Sequence, residues 1–274
     1  MIISRINNRR EVIRSSESLD AAIEVYYDVI QQVYLANPLY FKMIFKADRL
    51  VVLLSILGGY YTLGCPSFRD VRKFCIRNDL LSSNTLDSFV SFLGVGKRLE
   101  IARDKQDKRR LTYKPTERSL SEVRELIYSL LAPYAVICPE FDLEHTLGHD
   151  DFTAVFLKNY AQVISSELFI YDVVPDSREF VTRDAGHIIM FNLYIESVRN
   201  KTLSVQYNYL NASAKFSVSR SHIKRCFQAA ERLDLLNLRQ DGKTIELKPR
   251  FIAMVRDTFC FYLASAEYGA LGAC

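Results

Sequence analysis

Over residues 19–34, Leu19, Ile23, Tyr26, Tyr27, Ile30, Val33 and Tyr34 return every three or four positions, the spacing of one buried helix face. Ser16–Ser18 supply a cap for that helix and Asn37-Pro38 a stop. The polar, basic dozen residues before it predict a loose arm. Residues 49–64 are apolar nearly all round, which predicts a central buried helix capped by Asp48 and broken at Gly64-Cys65-Pro66. Pro66 and Ser67 then open a helix with Phe68, Val71, Phe74 and Cys75 on one side. A turn at Asp79-Leu80-Leu81 follows. Ser82 or Ser83 caps a further helix whose apolar face is Leu86, Phe89, Val90 and Leu93.

The period then changes from helical to alternating. Residues 99–103 and 110–114 read as two short strands around the basic tip DKQDKRR, and Pro115 is placed to open a helix through Leu131. Residues 132–149, with two prolines, a glycine and acidic side chains, predict a connector between halves 1–131 and 150–274. Beyond it, Asp150 or Asp151 caps a helix over 152–170, and a turn falls at Val174-Pro175-Asp176. One apolar helix is predicted over 178–198 and another over 204–213. After a turn at 215–218, Ser219 caps a helix over 219–233. A hairpin over 235–248 has Asp241-Gly242 at its tip, and Pro249 opens a last helix to Ala264. The predicted fold is mainly α with small β-hairpin wings.

The two halves repeat. At an offset of 137 positions Ser82 falls on Ser219, Leu86 on Ile223, Val90 on Phe227, and Leu99 and Ile101 on Leu236 and Leu238. Past the first tip, which is longer, Leu111 to Pro115 matches Ile245 to Pro249. A helix-helix-hairpin-helix unit used twice predicts two units built to one plan.

Charge sharpens this picture where total composition does not. The 274 residues carry a net charge of only +4. Segment 66–131 carries +5, segment 132–202 carries −6 and segment 203–257 carries +5. Two basic segments flanking an acidic one point to a polyanion partner. The longest apolar run, Leu50–Tyr61, is too short to span a bilayer, and no signal peptide is visible, so a cytoplasmic chain is expected. The six cysteines show no metal-ligand spacing and are expected to be reduced and mostly buried.

A helix followed by a basic hairpin is the outline of a winged helix-turn-helix. The first hairpin, LEIARDKQDKRRLTYKPTERS, resembles the wing of the MarR family of regulators. Asp107 and Arg109 match that family's Asp-x-Arg tip, and Leu111 with Thr112, or Pro115 with Thr116, its return. The second tip, QDGK, lacks the pair. The resemblance implies a transcription regulator that here is a fused pseudo-dimer. Its partner would be double-stranded DNA read as an imperfect palindrome, and its effector a small aromatic compound. Whether the fused chain dimerises again is open.

The candidate DNA-binding residues follow from that frame. A recognition helix presents its N-terminal residues to base edges. In the first half these are Ser83, Asn84, Thr85, Asp87 and Ser88, with Asn84 suited to adenine. In the second they are Arg220, Ser221, His222, Lys224 and Arg225, with Arg220 suited to guanine. Arg103, Lys105, Lys108, Arg109 and Arg110 of the first wing, and Lys243 of the second, would reach phosphates. A plasmid-type replication initiator with two winged-helix units is an alternative, and a winged-helix protein-interaction module a third. His145 and His149 lie in a segment read as a loop, which argues against a preformed metal site. His187 reads as a core histidine. Tyr26, Tyr27, Tyr34, Tyr60 and Tyr61 read as core packing, or as the lining of an effector pocket. Neither a Ser/His/Asp order nor a phosphate-cradling glycine loop is present, so no enzyme is expected and no cofactor or metal is assigned.

Overall fold

The computed structural model describes residues 2–63, 67–108 and 110–272. Arg109, Cys65 and Cys274 lie outside the described residues. The described residues are mainly helical, with one two-stranded and one three-stranded antiparallel sheet among them. No helix among the described residues is long and apolar enough to cross a membrane.

The first half runs α1 (Ile2–Arg14), α2 (Leu19–Ala36), α3 (Pro38–Ile44), α4 (Ala47–Thr62), α5 (Phe68–Arg77), α6 (Ser83–Val95), β1 (Leu99–Arg103), β2 (Leu111–Pro115) and α7 (Glu117–Ile137). A short helix α8 (Leu143–Gly148) follows. The second half runs α9 (Phe152–Ser165), α10 (Ile170–Val173), α11 (Arg178–Val181), α12 (Gly186–Arg199), β3 (Ser204–Gln206), α13 (Tyr209–Phe216), α14 (Arg220–Arg232), β4 (Leu236–Arg239), β5 (Thr244–Leu247) and α15 (Pro249–Leu271).

Several expectations are corrected. The N-terminal segment is no loose arm but helix α1. It buries Ile6 and Ile13 against α15, and its arginines meet Glu267 and Asp257 on that helix. Lys46, not Asp48, stands at the N-cap of α4, because the buried Ala47 draws the helix start two residues upstream. Pro115 ends β2 opposite Leu99, and α7 starts two residues later, capped by the Thr116 hydroxyl, which accepts from the Ser119 N–H at 3.2 Å. α7 then runs through Pro133 to Ile137, into the segment expected to connect the halves. Its buried residues Leu131, Pro133 and Tyr134 offset the missing hydrogen bond there.

In the second half α9 stops at Ser165, short of 170, where Glu167 takes a left-handed backbone. The helix expected over 178–198 is cut at 182–185. Ala185 is left-handed, and a side chain on Gly186 would strike the Phe180 carbonyl, built only 2.0 Å from it. The helix expected over 204–213 is a strand followed by a helix. β3 pairs Ser204 with Glu246, and Asn208 caps α13. α15 continues past Ala264 to Leu271, since Ala264, Ala266 and Tyr268 stay buried.

The repeat is carried by geometry as well as by residue type. α6 and α14 begin and end 137 positions apart. Lys97 and Asp234, also 137 apart, both turn left-handed after those helices. There the Arg98 N–H donates to Leu93 O at 2.8 Å and the Leu235 N–H to Ala230 O at 3.0 Å. Strand order is β3-β5-β4 in the second half. In the first, an isolated bridge Ser67–Thr112 occupies the place of the Ser204–Glu246 pair, beside β2 and β1. The core is shared between the halves: α2 packs on α7, α4 on α9 and α15 on both α7 and α9. Gly58 of α4 meets Ala161 of α9 so closely that an added Cβ would sit 2.8 Å from the alanine Cβ.

Candidate nucleic-acid interface

Each candidate reading helix is held by the helix before it. α6 packs on α5 through Leu86, Phe89 and Leu93, and α14 on α13 through Ile223 and Phe227. Both start on a serine. Ser82 Oγ accepts from the Thr85 N–H at 3.3 Å and Ser219 Oγ from the His222 N–H at 3.1 Å. The opposite faces are left to solvent.

The two exposed faces differ in what remains available. On α6, Thr85 Oγ1 lies 2.8 Å from Ser82 Oγ, the Ser88 hydroxyl donates to Asn84 O at 2.9 Å, and Asp87 is ion-paired with Arg72 of α5. Asn84 is exposed and Ser83 partly so. Of the five candidates on this helix, Thr85, Asp87 and Ser88 thus have their polar atoms engaged locally. On α14, Arg220, Ser221, Lys224 and Arg225 are exposed, and the three cations form no salt bridge among the described residues. His222 differs from these. Its Nε2 lies 2.8 Å from Asp184 O and 3.7 Å from Cys226 Sγ, so it faces the protein body.

The hairpins differ in the same spirit but the opposite sense. At the first tip Asp104 Oδ1 accepts from the Gln106 N–H at 2.8 Å and the Asp107 N–H at 3.0 Å. The Arg110 N–H donates to Asp107 O at 2.9 Å, closing the loop. That shape, a local Asx turn, leaves Arg103, Lys105 and Lys108 exposed and Arg110 partly buried. The second tip is a tight turn with Gln240, Asp241 and Gly242 all at positive φ. Its neighbours neutralise one another: Arg239 pairs with Glu246 across the strands at 3.0 Å, Lys248 with Asp234, and Arg250 with Asp176 at 2.6 Å. The Asn237 amide and Arg239 hold the Glu246 carboxyl below its ordinary pKa. Lys243 stays exposed. The first half therefore offers its cations on the hairpin, and the second half on the helix.

Arg98 is the positioning residue that the sequence pattern did not reveal. It is only 4% exposed at the base of the first hairpin. Its Nε and Nη2 donate to Glu122 of α7 at 2.8 and 2.7 Å, Nη1 donates to Gly96 O at 2.8 Å, and the guanidinium lies 3.6 Å from the centre of the Tyr40 ring. One side chain thus ties the hairpin to α3 and α7. The partners are 24 positions apart, beyond the reach of any local pattern.

Beneath both units lies an apolar cavity of about 130 Å³, lined from α2, α4, α7, α9 and α15, with His187 of α12 on its wall. Of the five tyrosines considered above, only Tyr26 reaches it. Tyr27 and Tyr34 are buried elsewhere, the latter donating to Phe216 O at 2.8 Å, and Tyr60 and Tyr61 pack edge to face on each other. His187 Nε2 lies 2.9 Å from the Tyr26 hydroxyl, while Nδ1 is buried with no partner among the described residues. Burial drives the imidazole pKa down to about 3, so the ring is neutral at ordinary pH. Cys75, Cys138, Cys226 and Cys260 are buried free thiols. Burial pushes Cys75 and Cys226 up to about 11 and Cys260 to about 12. No protein-family model matches the chain, and no curated protein or solved structure matches it either.

Proposed function

We propose that the chain is a sequence-specific double-stranded DNA-binding transcription regulator, with two winged helix-turn-helix units of MarR-like type fused into a single-chain pseudo-dimer. The observation that carries this reading is the recurrence of one helix–helix–hairpin–helix geometry, each copy presenting exposed cations on a different part. α14 supplies Arg220, Lys224 and Arg225, and the first hairpin supplies Arg103, Lys105 and Lys108. Cations on phosphates give affinity, and a polar helix face in the major groove gives sequence preference. Because α6 offers Asn84 where α14 offers Arg220 and Lys224, the two half-sites differ. The neutralised second hairpin leaves that half to bind mainly through its helix.

On the same reading the core cavity is the place of an effector. A compact, uncharged aromatic molecule fits a void close to the volume that holds benzene in an engineered protein core. The neutral His187 offers it one hydrogen bond. Because residues of both halves line the void, an occupant would bear on how the two units are held.

Selection of bound duplexes from a random pool, followed by a salt titration of the enriched sequence, tests the proposal. An enriched motif with two unlike halves, and an affinity that falls steeply with salt, are expected. Absence of enrichment together with salt-independent binding would remove the DNA-binding reading. Enrichment of tandem repeats of one half-site would favour the replication-initiator alternative.

A further inference from the structure

The sequence pattern places His145 and His149 in a loop, yet α8 and its C-cap make them neighbours. The helix is held at both ends. The Asp142 carboxylate accepts from the His145 N–H at 2.8 Å, Asp142 O accepts from the Thr146 hydroxyl at 2.6 Å, and Arg124 of α7 donates to Leu147 O. Four positions along, the two imidazoles sit on one side, with ring centres 4.8 Å apart and Nε2 atoms 3.4 Å apart. Both side chains are exposed.

That separation is what one tetrahedral ion requires. Two zinc–imidazole bonds of about 2.0–2.1 Å at a tetrahedral angle leave their nitrogens about 3.4 Å apart. Carboxylates outnumber cations around the pair: Glu140, Asp142, Glu144, Asp150 and Asp151 fall within a dozen residues, against the one guanidinium of Arg124, which is held on Leu147 O. Imidazole nitrogen selects zinc-like transition ions over magnesium or calcium, which take oxygen ligands. Among the described residues no third His, Cys, Asp or Glu completes a cluster. The remaining coordination positions would therefore fall to water.

We propose that His145 and His149 form a two-point clamp for a divalent transition-metal ion of the zinc type. The site is independent of the DNA-binding reading and lies away from both hairpins, on the turn that joins α7 to α9. Occupied, it would lock α8 as a helix at the passage from one half of the chain to the other.

The test is isothermal titration of the full-length chain with Zn²⁺, alongside His145→Gln, His149→Gln and a Cys65→Ala/Cys274→Ala double variant. Wild type and the cysteine variant are expected to bind one Zn²⁺ per chain with equal affinity. Each histidine variant, checked for unchanged helicity by circular dichroism, is expected to bind at least tenfold more weakly. Three results would overturn the proposal: no binding to wild type at about 100 µM Zn²⁺, an equivalent retained in both histidine variants, or a loss confined to one of them.

Discussion

Arg98 joins three elements at one buried guanidinium, and its removal is costly for a reason the contacts make explicit. Arg98→Ala leaves the Glu122 carboxylate, only 15% exposed, with its remaining partner Arg118 at 3.1 Å out in solvent. Breaking a pair this deep costs about 3 kcal/mol. Arg98→Lys should recover little of it, because an ammonium cannot make the bidentate contact or stack on Tyr40. Urea denaturation midpoints of the three proteins check this. Equal stability of Arg98→Ala and wild type would contradict the positioning role.

His187 makes a second prediction at the same scale. Its folded pKa near 3 lies below the ordinary histidine value of about 6.5, so between those two values the unfolded chain binds a proton that the folded chain does not. Stability therefore falls as pH drops below about 6.5, with a slope from this residue of up to about 1.4 kcal/mol per pH unit. His187→Gln removes that contribution. Comparing unfolding free energies at pH 7.5 and 5.5, the variant should lose less on acidification than wild type. Identical losses would show that His187 is not buried as a neutral ring.

Among the elements, the proposed function assigns unequal parts to the two candidate reading helices and the two hairpins. Asn84→Ala should relax preference at one base position by about 1–3 kcal/mol while leaving the salt slope unchanged. Lys224→Ala, or Lys108→Ala on the first hairpin, should weaken binding to all duplexes and reduce the salt slope by about one. Competition binding at several salt concentrations separates the two behaviours. Variants that move preference and salt slope together would erase the division.

Much of this was legible because it is local. The caps Ser82 and Ser219, the apolar faces of α6 and α14 and the alternation of the first hairpin are each fixed within four residues. Three of the failures share a cause, a distant surface that decided the local structure. α1 is helical because α15 offers it a face for Ile6 and Ile13. α7 runs through Pro133 because its buried side continues. Segment 204–206 is a strand because β5 lies alongside to pair with it. At the candidate interface, exposure of the α14 cations was readable from helical spacing. The inward turn of His222 toward Asp184 and the pairing of Arg250 with Asp176 were not, because they depend on neighbours far along the chain.

At the scale of the whole molecule, the halves share one core and brace each other. Tyr34 and Lys42 of the first half hold the carbonyls of Phe216 and Ser217, in the turn that leads to α14, and Lys46 meets Asp184 at 2.7 Å. The turn that leads into α14 is thus held by helices of the first half, a brace between halves that two separate protomers obtain only by dimerising. If both units read DNA, a single chain should cover two half-sites about one helical turn apart, because that is the repeat of the major groove on one face of the duplex. Hydroxyl-radical footprinting on a selected duplex, with stoichiometry fixed by titration, measures this directly. The account predicts one chain per site and two protected patches about 10 base pairs apart, unequal in extent, the broader belonging to the half with the basic hairpin. A single protected patch, or a requirement for two chains to produce the pair, would contradict it.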